Sequence, residues 1–197
     1  MATNRKDIPE HFYSLDEYFA IEHAGDARYE YWDGEIICMS GGSKEHGRIG
    51  SNVHFQLRLG VASGPCQAFT SDVAIKTPTL PPYRYPDASV ACGELTFVNI
   101  RGVDALTNPV LIVEILSPSS AERDREEKFT AYQAIPSFVE YLLIAQDSVH
   151  MTHYSRQLDG TWLREDVTGL DAIVRIKAIN CALALRDIYE NVEFGPS

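Results

Sequence analysis

No stretch of the 197-residue chain approaches the roughly 20 apolar residues that a membrane-crossing helix needs. The opening segment "MATNRKDIPEHF" lacks the apolar core of a secretory leader. A cytoplasmic protein without a membrane partner is the expectation. Cysteine is scarce and scattered, at Cys38, Cys66, Cys92 and Cys181. None forms a C-x-x-C pair, which argues against zinc. Two of them lie in apolar runs, where buried free thiols are expected. Positive charge is also short: 17 Lys and Arg stand against 28 Asp and Glu, a net charge of −11. That argues against loose attachment to nucleic acid through a general basic surface. It does not exclude a nuclease, because a divalent cation held by carboxylates reverses the local sign. Repeats, low-complexity tracts and linkers are missing too, so one domain over 1–197 is expected.

Hydrophobic residues make up 45% of the chain and charged residues 23%, an ordinary globular balance. "YSLDEYFAIEHAG" predicts a helix, with Ser14 and Glu17 as a capping box and Gly25 at its end. "ARYEYWDGEIICMSG" predicts a hairpin turning at Asp33-Gly34. In "SKEHGRIGSNVHFQLRLGVASG", Ser43 is a cap and Ile49, Val53, Leu57 and Val61 recur every fourth residue, which predicts a second helix despite interior glycines. "CQAFTSDVAIKT" reads as a strand, "PTLPPYRYP" as a loop, and "DASVACG" as a second strand. After a polar loop, the continuous apolar run "PVLIVEILS" suits a central strand buried on both faces. "SPSSAERDREEKFTAYQAIPS" predicts a helix that stops before Pro136, and "FVEYLLIAQ" a strand. "SVHMTHYSRQLDGTWLRED" predicts a hairpin around Asp159-Gly160, and "ALALRDIYEN" a short final helix. The sum is an α/β (α+β) fold, a mixed sheet flanked by helices.

Two acids stand out. Asp87 opens the strand "DASVAC", and Glu114 interrupts the run "VLIVEIL". An ionised carboxylate inside an apolar strand is costly unless something pairs with it. Glu114 is either half of a buried salt bridge or a metal ligand shared with Asp87. Mg²⁺ is commonly held by one or two carboxylates plus water and substrate phosphate, a set that suits phosphodiester hydrolysis. Lys128 and Tyr132 in "RDREEKFTAY" share a helix face at i, i+4 and follow Glu114 directly. Lys128 either leans over the acids, where it would orient a water and stabilise the transition state, or is a solvated charge paired with Asp124.

The ordered set "RYEYWDGEI", "HGRI", "SDVAI", "YPDASV", "LIVEILSPSS", "RDREEKFTAY" and "IPSFVEYLLI" resembles the Uma family of restriction-endonuclease-like proteins, within the PD-(D/E)XK nuclease superfamily. The resemblance runs from about Leu15 to about Arg186. It implies a restriction-endonuclease-like mixed sheet with one Mg²⁺- or Mn²⁺-dependent site acting on DNA, with RNA as the other option, and a homodimer. Pro86-Asp87 matches the P-D pair and Glu114 the acid of the E-x-K element. The Ile115 carbonyl would then be a backbone metal ligand. Leu116 stands where the lysine of that element belongs, and Lys128 fits its displaced place on the next helix. Glu30 matches an additional acidic position, a metal ligand directly or through water, against the alternative of a hairpin surface charge. His46, Asp72, Arg84 and Tyr132 are further candidates for contact with phosphate, with water or with the acids. Replacing Asp87, Glu114 or Lys128 by alanine is expected to abolish cutting and leave the fold intact. The rival is a catalytically inactive nuclease-like scaffold that binds nucleic acid or a protein partner.

Overall fold

The structure is a computed structural model that describes residues 11–25, 27–39, 41–118 and 120–194. Residues 1–10, most of the stretch read for a leader, lie outside that set. The chain divides into two compact units, Met1–Ser40 and Gly41–Ser197.

In the first unit, α1 (Leu15–Ala24) begins at the predicted box. Ser14 Oγ accepts from Glu17 N at 3.3 Å, and the Glu17 carboxylate accepts from Ser14 N at 2.7 Å. Two of the orphan donors at a helix start are thereby satisfied. β1 (Tyr29–Trp32) and β2 (Glu35–Cys38) pair antiparallel across Asp33 and Gly34. Both turn residues have positive φ, 43° and 99°, the geometry that an Asp-Gly hairpin turn selects. The Tyr18 hydroxyl ties α1 to β1 by donating to Tyr29 O at 2.8 Å.

The second unit opens with α2 (Lys44–Val61), capped where Ser43 Oγ accepts from His46 N at 3.1 Å. Its stripe Ile49, Val53, Leu57 and Val61 is buried. The interior glycines have a tertiary reason. A Cβ on Gly60 would lie 2.3 Å from Cys181 Sγ, so close packing outweighs helix propensity there.

β3 (Cys66–Thr70) and β4 (Ala74–Ile75) come next. They correct the reading of "CQAFTSDVAIKT" as one strand. A turn held by Thr70 Oγ1 to Asp72 Oδ2 at 3.1 Å breaks it, and the two halves join different sheets. β5 (Ala88–Cys92) follows. The stretch read as a polar loop is a hairpin of β6 (Phe97–Ile100) and β7 (Val103–Leu106), turning at Arg101 and Gly102 with φ of 49° and 93°. Its turn lacks the usual Asn or Asp, and Phe97 and Val98 are exposed, so no inward face was written in the sequence.

β8 (Pro109–Leu116) leads into a helical crossover. α3 (Ala121–Arg123) passes through a π-helical turn (Asp124–Lys128) into α4 (Phe129–Gln133). The chain returns in β9 (Glu140–Ala145), β10 (His150–Arg156) and β11 (Trp162–Thr168), then β12 (Ile173–Ile176), β13 (Cys181–Ala184) and α5 (Leu185–Ile188). The main sheet has the order β11-β10-β9-β8-β5-β3. β8 and β9 run parallel and their neighbours antiparallel, so the sheet is mixed. A parallel neighbour needs a long crossover, and the helical stretch 121–133 supplies it.

Leu111, Val113 and Ile115 of β8 pack in one core with the buried stripe of α2. Ile112 and Leu116 pack in the other, with Tyr132, Ile135, Phe138 and Tyr141. Cover on both faces explains the unbroken apolar run. Cys66 lies opposite Cys92 in the β3–β5 register and the two form a disulfide, which corrects the expectation of free thiols. Among the described residues Cys38 and Cys181 are free.

Candidate active site

Alternation along β8 puts Glu114 on the face covered by the crossover, between Ile112 and Leu116. Asp87 stands just before β5. Ala88 pairs with Val113 in the antiparallel register, so one further step sets Asp87 opposite Glu114. Such cross-strand neighbours have their Cβ atoms about 4.5–5.5 Å apart. Asp87 is fixed by its surroundings: Oδ2 accepts from Ile115 N at 2.6 Å, and Oδ1 lies 3.4 Å from His46 Nε2. The capped first turn of α2 holds that imidazole.

The crossover supplies the cation. Lys128 Nζ donates to Glu114 Oε1 at 3.1 Å and sits 3.2 Å from Asp124 Oδ1. The Tyr132 hydroxyl donates to the same Glu114 oxygen at 3.0 Å. Lys128, Asp124 and Glu114 are all buried, which rules out Lys128 as a solvated charge. Its pairing with Asp124 is real, and the same ammonium serves Glu114 as well. The π-turn spans the segment from Asp124 to Lys128. Such turns recur at functional sites because they re-aim side chains within a helix. Leu116, at the position of the missing E-x-K lysine, fills the apolar core below.

Burial raises the carboxyl pKa of Asp124, against the opposing pull of Lys128, and the charge of Asp87 pushes the same way as burial. The His46 imidazolium is favoured chiefly by its hydrogen bond to Asp87, against the cost of burial, with the backbone of Ile115 also helping. Asp124 was read from the sequence only as a neutralising partner. Its spacing of i, i+4 from Lys128 was the signal that it belongs to the site.

The remaining candidates are placed differently. Arg84 is 1% exposed, with Nη1 donating to Tyr83 O at 2.7 Å, so its guanidinium is held by the backbone of its own loop. Asp72 is exposed and engaged in the turn after β3. Glu30 belongs to the first unit, where it accepts from Trp32 Nε1 at 3.0 Å. At 1% exposure it is not the surface charge of the alternative reading.

Among the described residues, no three His, Cys, Asp or Glu side chains gather closely enough to hold a metal ion unaided. Mg²⁺ and Mn²⁺ ask for less: one or two carboxylates, with water and phosphate completing the shell. Asp87 and Glu114 across the strand pair meet that requirement. The buried Asp124 adds a third carboxylate nearby, with Oδ1 held at 3.2 Å from the Lys128 ammonium. The donor set fits a hard divalent cation and offers no soft ligand.

The Uma2 family, described as "Putative restriction endonuclease", matches residues 15–186. This chain belongs to the Uma2 family. Two relatives come from Synechocystis sp. (strain ATCC 27184 / PCC 6803 / Kazusa). The uncharacterized protein slr1290 is 33% identical over 92% of this chain and 93% of its own length. The uncharacterized protein sll1609 is 35% identical over 79% of this chain and 88% of its own. A crystal structure described as "a putative nuclease belonging to DUF820", from Anabaena variabilis ATCC 29413, has the same fold, with a TM-score of 0.69 at 20% identity. It covers 90% of this chain, which covers 97% of it. The restriction-endonuclease-like mixed sheet read from the sequence is the fold observed. Nucleases of that kind generally use divalent metals, and no described helix of this Uma2 chain is long and apolar enough to cross a membrane.

Proposed function

We propose that this chain hydrolyses phosphodiester bonds in DNA with Mg²⁺ or Mn²⁺, at Asp87, Glu114, Asp124 and Lys128. One observation carries the reading: the β5–β8 register sets Asp87 opposite Glu114, and a buried ammonium meets the Glu114 carboxylate at 3.1 Å. A site for a phosphodiester needs negative donors for the cation and a positive group for the developing charge, and both lie here, with Asp87 on the open side and Lys128 buried.

Asp87 and Glu114 would hold the cation, with Asp124 and the Ile115 carbonyl within the same constellation. When bound, the cation neutralises charge on the phosphoryl oxygens and lowers the pKa of a water. The chain's own groups do the rest. Ile115 N and His46 fix the Asp87 carboxylate by gripping one oxygen each. Lys128, held by two carboxylates and buried, is pre-oriented to hydrogen-bond a water or a phosphoryl oxygen. Tyr132 fixes the Glu114 rotamer. His46, whose charged form Asp87 favours, is poised to give a proton to a leaving oxygen.

Both units belong to one nuclease domain in this reading, supported by a family match that runs across both. A homodimer goes with it, because two cuts in a duplex need two sites. One observation favours the inactive-scaffold reading: Glu114 Oε1 already accepts from both Lys128 and Tyr132. Calorimetry with Mn²⁺, beside a cleavage assay, separates the two. Heat of binding lost in Asp87→Asn together with cutting supports the nuclease. No Mn²⁺ heat in the unaltered chain, and no cutting, leaves the scaffold.

A further inference from the structure

From Asp87 a furrow runs along the exposed side of α2. Its first hollow is lined by His46, Gly47, Gly50, His54 and Asp87, among others, and its second by His54, Phe55, Arg58 and Leu59. Shared residues, Ser51 and His54, make the two continuous, and Arg58 carries the furrow on towards the start of β3. His46, Gly50, His54 and Arg58 follow one another at i, i+4 along one side of the helix, a row about 18 Å long. A Cβ on Gly47 would meet nothing, so the floor beside the acids is open.

The charge of this furrow is unlike that of the chain. The net charge is −11, yet the one acid lining these hollows is Asp87, at the site end. Arg58 is exposed and makes no ion pair among the described residues, in a chain with far more acids than cations. Beside it Phe55 and Leu59 stand 59% and 56% exposed on a helix whose other face is core. His54 Nδ1 is buried with no hydrogen-bond partner among the described residues. An unpaired guanidinium, an unsatisfied imidazole and a bare aromatic ring in one line suit a chain of phosphates whose bases are free to stack.

The geometry points to a single-stranded nucleic acid laid along α2, with a phosphate on Arg58, a base on Phe55, and the scissile phosphate at Asp87. This rests on the nuclease reading and narrows it. A duplex keeps its base faces stacked and presents one charge per about 1.7 Å, which one free arginine on a strongly acidic chain does not balance. A single strand has half that density and offers its bases to Phe55.

The test is fluorescence anisotropy with labelled oligothymidylate, oligouridylate and a hairpin duplex, in EDTA so that nothing is cut. Single strands bind the unaltered chain at least about tenfold tighter than the duplex, and Phe55→Ala weakens them roughly tenfold. Arg58→Glu weakens them by a similar factor and flattens the salt dependence. Tighter binding of either sugar supports the furrow and tells which one it takes. Asp87→Asn retains binding, so its loss of cutting reports on chemistry alone. Single-strand affinity unchanged in Phe55→Ala and Arg58→Glu overturns the furrow and leaves the nuclease standing. Cutting that survives Asp87→Asn overturns the nuclease and leaves the furrow. An equal loss in Arg156→Ala, an exposed cation off the furrow, would reduce the effect to bulk charge and overturn it. So would a dimer that Phe55→Ala splits, seen by sedimentation, with oligonucleotide affinity unmoved, since the ring would then face a second copy.

Discussion

Lys128 Nζ stands 3.1 Å from Glu114 Oε1 and 3.2 Å from Asp124 Oδ1, and none of the three side chains is more than 4% exposed. One cation thus serves two buried carboxylates, and burial raises the pKa of Asp124 even though Lys128 pulls it down. Removing the cation strands both acids. Lys128→Met is expected to abolish cutting and also to cost about 3–5 kcal/mol of stability, as removing one partner of a buried pair does. The burial therefore revises the expectation that replacing Lys128 leaves the fold intact. Glu114→Gln and Asp124→Asn combined with Lys128→Met, a neutral set of similar shape, recover most of the stability and none of the activity. Urea unfolding beside the cleavage assay reads both. A Lys128→Met variant that unfolds like the unaltered chain would refute the shared-cation account.

Asp87 separates structure from chemistry more cleanly, because its side chain is 22% exposed and one of its bonds can be preserved. In Asp87→Asn the amide oxygen still accepts from Ile115 N, so stability stays within about 1 kcal/mol while the charge is lost. Asp87→Ala also removes the charged acceptor and costs about 1–3 kcal/mol. Both variants are expected to lose Mn²⁺ heat and cutting. Equal stability of the two would show that the bond to Ile115 holds nothing in place.

Much of this arrangement was legible in the residues. Ser14 with Glu17, and Asp33 with Gly34, spell local geometry through local chemistry, and the structure repeats them. Glu114 was conspicuous because a lone acid in "VLIVEIL" breaks the logic of a doubly covered strand. What stayed hidden depends on packing. Gly60 argued against a helix until Cys181 was seen beside it. The β6–β7 hairpin was invisible because its exposed Phe97 and Val98 carry no alternation. Arg84 looked like a phosphate ligand because it precedes the P-D pair, and only the bridge between Ile75 and Arg84 shows that loop turned into the core. Asp124 gave its signal, but a sequence does not say that a helix charge is buried.

The disulfide gives a test independent of the site. Cys66 and Cys92 close a loop across 26 positions of sequence. In the chain-entropy account such a closure stabilises by about 3–4 kcal/mol. Reduction, or Cys66→Ser with Cys92→Ser, is expected to lower the unfolding free energy by that much, with a lower denaturant midpoint, and to leave the affinity for Mn²⁺ unchanged. Intact-mass analysis with and without reductant reports whether the bond is present. Equal midpoints for the bonded and reduced forms would show that the loop is already closed in the unfolded chain.

Asp166 makes stability depend on acid pH at the edge of the main sheet. Its carboxyl is held down to about 2 by the Thr152 hydroxyl first, then by Arg164 and His150. A depressed carboxylate stabilises the fold above its ordinary pKa of 3.8, and that contribution disappears as pH falls through the folded value. Asp166→Asn is therefore expected to melt below the unaltered chain at pH 6, with the gap closing between about pH 4 and pH 2. The gap is small, because this carboxylate faces water and its arginine partner is screened. Added salt should shrink the share owed to Arg164, 3.0 Å away, and spare the share owed to Thr152, whose hydroxyl donates at 2.7 Å. Melting curves at two ionic strengths across that pH range decide it, and a gap that widens on acidification would reverse the sign and remove Asp166 from the account.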